Sequence, residues 1–370
     1  MARFLRLGIG FLCVCLVALS LTPALSAPLE EGTPMTLTAP SAILLEADTG
    51  AVIFEKNADE QRPAASVNKL MTLLIVLEKL DAGDITLDDK ITVSQAAAGQ
   101  PGSQAFLDAR ASYPLKDLLK SAIIASANDA AAALAEYVAG TEEAFAALMN
   151  QRAVELGLEN THYVNCTGLP AEGQYTSARD VAVISREVVK HPAYFQYSST
   201  WLDSLTHPSG RVTDLTNTNR LVRFYQDCDG LKTGSTSEAK YCLSATAQRN
   251  GMRLIAVVLG VPNSQTRFDE ARAMMDYGFS AYALTPVAQE GDWIGVQVPV
   301  TLGAKEQVEA ALGSGLSLLL RSGQQSQLSF ETHLMESVAA PVRAGDVIIA
   351  GILGTDSDVI ATKDVAAAGA

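Results

Sequence analysis

The stretch from Pro63 to Leu80, PAASVNKLMTLLIVLEKL, opens what reads as a long helix that is apolar almost all the way round. Such a helix needs cover on every side, so the chain must be able to build a sizeable core. At 370 residues it can, and this length predicts two domains. A hydrophobic fraction of 48% against 18% charged residues is an ordinary globular balance, without low-complexity runs or a fixed repeat.

On the N-terminal side of that helix, Ser41 to Lys56, SAILLEADTGAVIFEK, sets apolar runs around a DTG turn, the pattern of a hairpin at a sheet edge. On its C-terminal side, polar loops at Asp81 to Asp89 and Ala98 to Ser103 lead into LKDLLKSAIIASANDAAAALAEYVAG, helical, with Gly140 as its stop. Thr141 to Leu156 and Ala178 to Val189 predict two further helices. After Asp229, GLKTGS, YCLSATAQ and RLIAVVLGV read as three antiparallel strands, and Arg267 to Tyr282 as a helix closing over them. Beyond Tyr282 come short alternating segments separated by turns. The expectation is an α+β fold, an antiparallel sheet with helices packed on it over residues 28–280, followed by a small all-β domain at 281–370.

Residues 1–27 stand apart. Arg3 and Arg6 precede an uncharged apolar run from Leu7 to Leu21 that ends in small residues around Ala27, the layout of a secretory signal peptide, here expected to be cleaved near Ala27. A membrane anchor is the alternative, but the run is short for a span of roughly 20 residues. The expectation is an exported protein working outside the cytoplasmic membrane. Cys13 and Cys15 fall within the signal, leaving Cys166, Cys228 and Cys242, too few for a disulfide framework and not spaced as zinc ligands. The net charge of −14 becomes −16 once Arg3 and Arg6 are removed, which argues against nucleic acid or anionic lipid as partner. The tail GILGTDSDVIATKDVAAAGA has no basic amphipathic face, so no membrane anchor is evident there.

Four histidines, no HExxH and no GxSxG elbow disfavour a Ser-His-Asp enzyme or a zinc hydrolase, and neither metal nor cofactor is expected. A serine nucleophile then needs another base, and a lysine serves if its amine is neutral. Ser66 and Lys69, three apart, share a helix face near its N-terminus, where burial and the macrodipole disfavour an ammonium ion. Alone, the pair reads as readily as a helix cap and a charge, and Ser237 to Lys240 repeats the pattern. Two more stretches decide. ASANDA places Ser126 and Asn128 at a break in the Ala-rich helical region. GLKTGSTSE places Lys232, Thr233 and Gly234 on a strand, where Gly234 lets a substrate backbone approach closely.

With these motifs in this order the sequence resembles the penicillin-binding proteins, and within them the serine-type D-alanyl-D-alanine carboxypeptidases of low molecular mass. ILLEADTGAVIFEKNADEQRPAASVNKLMT, NTHYVNCTGL, QYTSARDVAVI, DGLKTGSTSEAKYCLSATAQRNGMRLIAVVLG and RFDEARAMMDYGF carry the likeness over residues 41–280, and APVRAGDVI extends it into the β-rich tail. The resemblance implies that Ser66 attacks the penultimate D-Ala carbonyl with Lys69 as base, and that Ser126 and Lys232 relay the proton to the departing D-Ala. Asn128 would hold the peptide amide, Thr233 and Ser235 the terminal carboxylate, and the backbone N–H groups of Ser66 and Ser235 the oxyanion. The partner implied is a peptidoglycan stem peptide ending in D-Ala-D-Ala, with β-lactams acylating the same serine.

One departure is Asn68, where relatives often have threonine; a change of rate rather than chemistry is expected. A D,D-endopeptidase of the same fold is the nearest alternative. A β-lactamase is disfavoured because neither Glu172 nor Glu187 sits in a water-activating loop pattern. A non-catalytic penicillin- or peptidoglycan-binding protein would not need Ser66, Lys69 and Lys232 all intact.

Overall fold

Strand β1 (Ser41–Glu46) is buried at every one of its residues, because both faces of the sheet it belongs to are covered. The computed structural model describes residues 35–288 without a break, then 293–302, 306–312, 316–321, 328–334, 338–339, 347–355 and 359–367. The expected signal peptide lies outside the described residues. β1 pairs with β2 (Val52–Lys56) as the expected hairpin, with β2 at the sheet edge. A single 3₁₀ turn, Ala65–Asn68, then leads into α1 (Lys69–Asp81).

A short pair, β3 (Lys90–Thr92) and β4 (Ser112–Pro114), brackets α2 (Gln95–Ala98) and the loop beyond it. The Ala-rich region is two helices, α3 (Leu115–Ile124) and α4 (Asn128–Ala139), ended by Gly140 at φ 85° as its sequence position suggests. α5 (Glu142–Glu155), α6 (Ala178–Val188) and α7 (Pro192–Ser198) come next. Then come a hairpin of β5 (Leu202–Thr206) and β6 (Val212–Thr216), and α8 (Leu221–Phe224). β7 (Cys228–Thr236), β8 (Lys240–Arg249) and β9 (Met252–Val261) complete the main sheet, and α9 (Ser264–Ala281), capped by Asn263, crosses it.

The sheet runs β2-β1-β9-β8-β7, antiparallel throughout. Period-two alternation divides its side chains between two cores. Ile43, Leu45, Ile255, Val257 and Leu259 face the layer holding α1, α3, α4 and α6. Leu44, Leu254, Ala256 and Val258 face α9 through Phe268, Met274 and Met275. The fold is three layers, and α1 lies within one of them with every residue from Lys69 to Leu77 buried. Fully burying a leucine is worth about 1.5–3 kcal/mol, so Leu70, Leu73 and Leu74 anchor α1 and with it the residues at its N-terminus.

Among the described residues, every element after α9 is a strand, as expected. β10 (Tyr282–Ala288) pairs with β13 (Leu316–Arg321). β11 (Trp293–Thr301), β12 (Gln307–Leu312), β14 (Leu328–Leu334), β15 (Val338–Ala339), β16 (Val347–Thr355) and β17 (Val359–Ala367) form a six-stranded sheet. Among the described residues no helix is long and apolar enough to cross a membrane.

Candidate active site

Ser66 sits in the 3₁₀ turn and Lys69 is the first residue of α1, so the expected shared helix face is achieved across a junction. In a 3₁₀ turn, residues three apart eclipse each other, which brings the two side chains together. Lys69 Nζ donates to Ser66 Oγ at 3.0 Å and to the Thr167 carbonyl at 2.7 Å. Its side chain is fully buried, and burial lowers its pKa from 10.5 to about 7 against the weaker opposing pull of Cys166 and Asp129. An amine with that affinity is substantially neutral at neutral pH. In that form its nitrogen, 3.0 Å from Ser66 Oγ, is able to accept a proton from the hydroxyl.

The loop that supplies the Thr167 carbonyl is wound around Asn165, whose Oδ1 accepts from Thr167 N, Thr167 Oγ1 and Gly168 N. Thr72 Oγ1 on α1 donates to the Cys166 carbonyl at 2.7 Å, and Glu142 accepts from the Cys166 amide at 3.2 Å. NCTGL is therefore the stretch that presents an acceptor to Lys69. Its position beside α1 was not legible from its composition.

Ser126 lies in the break between α3 and α4 with φ 60°, and Ala65, just before the nucleophile candidate, has φ 50°. Left-handed conformations at two non-glycine residues cost of order 1 kcal/mol or more each, and they persist where surrounding contacts fix them. Here those contacts are Lys232 Nζ, which donates to Ser126 Oγ at 2.7 Å, and the turn bond from Val67 N to the Ala64 carbonyl. Lys232 is as buried as Lys69, and its pKa is held well below the ordinary lysine value. Burial is the main cause, and the charges of Lys69 and Arg267 add to it.

Asn128, the first residue of α4, donates from Nδ2 to the Pro101 carbonyl at 2.5 Å, while its buried Oδ1 has no partner. The neighbouring Asp129 clamps the loop from below, accepting from Ala105 N at 2.9 Å and Leu107 N at 3.0 Å. An orphaned acceptor next to Ser126 is a ready receiver for an N–H group.

β7 is the free edge of the five-stranded sheet and carries Lys232, Thr233, Gly234 and Ser235. Thr233 Oγ1 donates to Thr218 Oγ1 at 2.7 Å, and Ser235 is exposed. Gly234 has a structural role beside its expected one. A Cβ there would strike the Ala64 carbonyl and lie 2.9 Å from both Ser66 N and Val67 N. The close approach that requires glycine here is made by the protein's own turn. Gly168, φ 79°, meets the same turn from the other side, against the Ala65 carbonyl. Two glycines thus let the chain close around the backbone of Ser66.

Arg267, at the start of α9, escaped sequence reasoning although it opens the family-like stretch RFDEARAMMDYGF. It is buried, donates to the Gly234 carbonyl at 3.1 Å, and burial lowers its pKa to about 10. Its guanidinium places a positive charge behind the β7 edge.

Set beside known proteins, the chain has clear relatives. A family model described as D-alanyl-D-alanine carboxypeptidase matches residues 28–263, and one described as penicillin-binding protein 5, C-terminal domain, matches 282–370. D-alanyl-D-alanine carboxypeptidase DacF of Bacillus subtilis is 39% identical over 330 residues, 89% of this chain and 85% of that one. DacC of Escherichia coli is 36% identical over 338 residues, 88% and 83% of the two chains. The chain belongs to the D-alanyl-D-alanine carboxypeptidase family. It is an enzyme of the serine hydrolase class, and its fold is that of penicillin-binding protein 5 from Haemophilus influenzae, with a TM-score of 0.81 at 30% identity over 92% of this chain and 99% of that one. In this carboxypeptidase family member, Lys69 contacts Ser66, Lys232 contacts Ser126, and Gly234 packs on the Ser66 turn, with Asn128 two residues from Ser126 and with Thr233 and Ser235 either side of Gly234 on β7.

Proposed function

We propose that the protein removes the terminal D-Ala from peptidoglycan stem peptides through an acyl-enzyme on Ser66. The observation that carries this reading is the fully buried Lys69 amine, with a pKa of about 7, 3.0 Å from Ser66 Oγ. Ser66 Oγ attacks the penultimate D-Ala carbonyl while Lys69 takes its proton. The oxyanion forms against the N–H groups of Ser66 and Ser235, where loss of one donor costs on the order of 10²–10³ in rate. The tetrahedral intermediate collapses as Lys232 and Ser126 deliver a proton to the departing D-Ala nitrogen, and water then releases the shortened peptide and frees Ser66.

The peptide lies along the free edge of β7 as an added strand, its amide N–H donating to the unpaired Oδ1 of Asn128. Its terminal carboxylate meets Thr233 and Ser235, with Lys232 and Arg267 as the nearby cations. A carboxylate arriving there draws a proton back onto Lys232, whose charge the free site opposes. A β-lactam carries the same carbonyl and carboxylate and acylates Ser66 in the same way. The working site is outside the cytoplasmic membrane, reached after removal of residues 1–27, with residues 28–280 as the catalytic domain and 281–370 as the β-rich domain.

The test uses residues 28–370, wild type and Ser66→Ala, with a labelled penicillin and separately with a peptide ending in D-Ala-D-Ala. Wild type is expected to take the label and release free D-Ala, and Ser66→Ala to do neither. An unlabelled, inactive wild type sinks the reading. A labelled Ser66→Ala protein moves the nucleophile elsewhere.

A further inference from the structure

Of the eight large hydrophobic side chains exposed among the described residues, four, Phe106, Leu202, Val212 and Phe224, lie on or around the β5–β6 hairpin. The hairpin register explains two of them. Leu202 pairs with Thr216, Ser204 with Asp214 and Thr206 with Val212, so these six residues share one face, while Leu205 and Leu215 point inward and are fully buried. The outward face therefore interleaves apolar groups with hydroxyls and the exposed carboxylate of Asp214.

A group of rings stands at one end of the hairpin, where Trp201 precedes β5. Trp201 and Phe224 stand edge to face with centroids 6.1 Å apart, and Arg223 lies over both, 5.4 Å and 5.3 Å from their centroids. The Arg223 side chain is exposed and makes no hydrogen bond or ion pair among the described residues. Its guanidinium donors are held in place by stacking yet left free. The backbone beneath is fixed: Arg272 Nη2 donates to the Phe224 carbonyl at 3.1 Å, Tyr225 to Asp276 at 2.7 Å, and Asn217 N to the Trp201 carbonyl at 2.9 Å. At the other end Arg211 donates to the Phe106 carbonyl at 2.5 Å, holding that residue outward at φ 59°.

A short stretch of chain ties this region to β7. Thr218 donates its backbone N–H to the Ile124 carbonyl and accepts from Thr233, and Asn219 donates to the Gly230 carbonyl on β7 at 2.9 Å. Arg223 is five residues further on, at most about 18 Å of chain away.

We infer that the outward face of β5–β6, with Trp201, Arg223 and Phe224, binds the polysaccharide strand from which the substrate peptide hangs. The inference rests on the peptidoglycan reading above. A pyranose offers an apolar ring face edged with hydroxyl and amide groups. Exposed aromatic and aliphatic side chains interleaved with Ser204, Thr206, Thr216 and the free Arg223 donors match that mixture. A protein partner would call for a contiguous apolar patch, and the hydroxyl positions interrupt one here. Continuity with β7 supplies the geometry, because a peptide in the cleft leaves its sugar strand outside it.

The experiment compares wild type with Phe224→Ala, Leu202→Ser and the double variant. D-Ala release is measured on the free stem pentapeptide, on polymeric pentapeptide-bearing strands, and on the same strands cut to disaccharide units. The double variant is expected to lose about five- to tenfold in kcat/KM on the polymer, through KM, the size that stacking contacts of this kind carry. On the free pentapeptide it stays within about twofold of wild type, and the disaccharide substrate falls between. Unchanged penicillin labelling and melting temperature show that the variants are folded. Equal loss on peptide and polymer, no loss on either, an undiminished loss on disaccharide units, or a change in oligomeric state on substitution each overturns the inference. A wild type that releases D-Ala from none of the three fails the peptidoglycan reading instead.

Discussion

Ser66–Lys69 and Ser237–Lys240 obey the same four-residue pattern, yet the fold gives them opposite surroundings. The first spans a 3₁₀-to-α junction closed in by Gly168 and Gly234, with Lys69 wholly buried under NCTGL. The second runs from the turn after β7 to the first residue of β8, with Ser237 and Lys240 exposed and Lys240 at φ 56°. On the proposed function, reactivity at the first comes from removing water around an amine, and a pattern of residue types does not specify that. The flanking residues make the difference: an apolar helix after Lys69, a polar turn before Lys240.

The largest expected difference between the two comes from exchanging each lysine for arginine. Lys69→Arg should reduce the second-order rate of penicillin acylation by on the order of 10³-fold or more, because a guanidinium stays protonated and cannot accept the serine proton. Lys240→Arg should change it by less than about twofold. Stopped-flow or gel-based labelling of both variants reads this directly. Full-speed acylation by Lys69→Arg would break the comparison.

The pH dependence sharpens it. With Lys69 near 7, acylation should rise about tenfold per pH unit up to that midpoint and then level. Stability carries the same signature. Between about pH 7 and 10.5 the unfolded chain holds a proton on Lys69 that the folded protein does not, so stability rises with pH across that window, by up to about 1.4 kcal/mol per unit. Denaturant titrations of wild type and Lys69→Met should therefore converge as pH rises from 7 to 10. A gap that widens would reverse the sign and show the amine to be charged in the folded state.

Gly234→Ala tests the enclosure itself. The added methyl must push against Ala64 and the backbone of Ser66, and overpacking of this kind typically costs about 1–3 kcal/mol. Acylation is expected to fall about tenfold, because the N–H of Ser66 moves with the turn. Gly83, at φ 74° with open space around it, is the control: Gly83→Ala brings backbone strain without a clash and leaves acylation unchanged. Equal rate losses in both would mean that enclosure is irrelevant.

The same contrast separates what was legible in the sequence from what was not. The strands of the central sheet were readable because their apolar runs are long and bounded by turns, and the helix after Pro63 because no polar face interrupts it. Ser126 and Asn128 were placed at a helix break by ASANDA. By contrast the β5–β6 hairpin, LDSLT and VTDLT, has only one buried apolar position per strand and gives no strand signal in isolation. Arg267 and Thr218 reach the cleft from distant stretches, and nothing in their neighbours announces it. Gly234 was recognised as a glycine that something approaches, but which backbone approaches is a property of the folded layers.

The smallest expected effect is at Asn68, where the sequence resemblance leads one to expect threonine. Its side chain is buried, its Oδ1 has no partner, and it makes no hydrogen bond to Ser66 or Lys69. It borders a cavity of about 10 Å³ lined also by Pro63, Gly168 and Glu238, room for no more than one water. Asn68→Thr removes an unpaired acceptor, which favours the variant by about 1 kcal/mol or more, and removes packing volume, which opposes it by a similar amount. The two nearly cancel, so the melting temperature should move by less than about 4 °C. Acylation should stay within about threefold, because neither the Lys69 amine nor the enclosing glycines are touched. The decisive reading is the acylation midpoint near pH 7. If it stays in place, position 68 serves packing and Lys69 owes its neutrality to burial alone; a displaced midpoint would put Asn68 in the electrostatics of the pair.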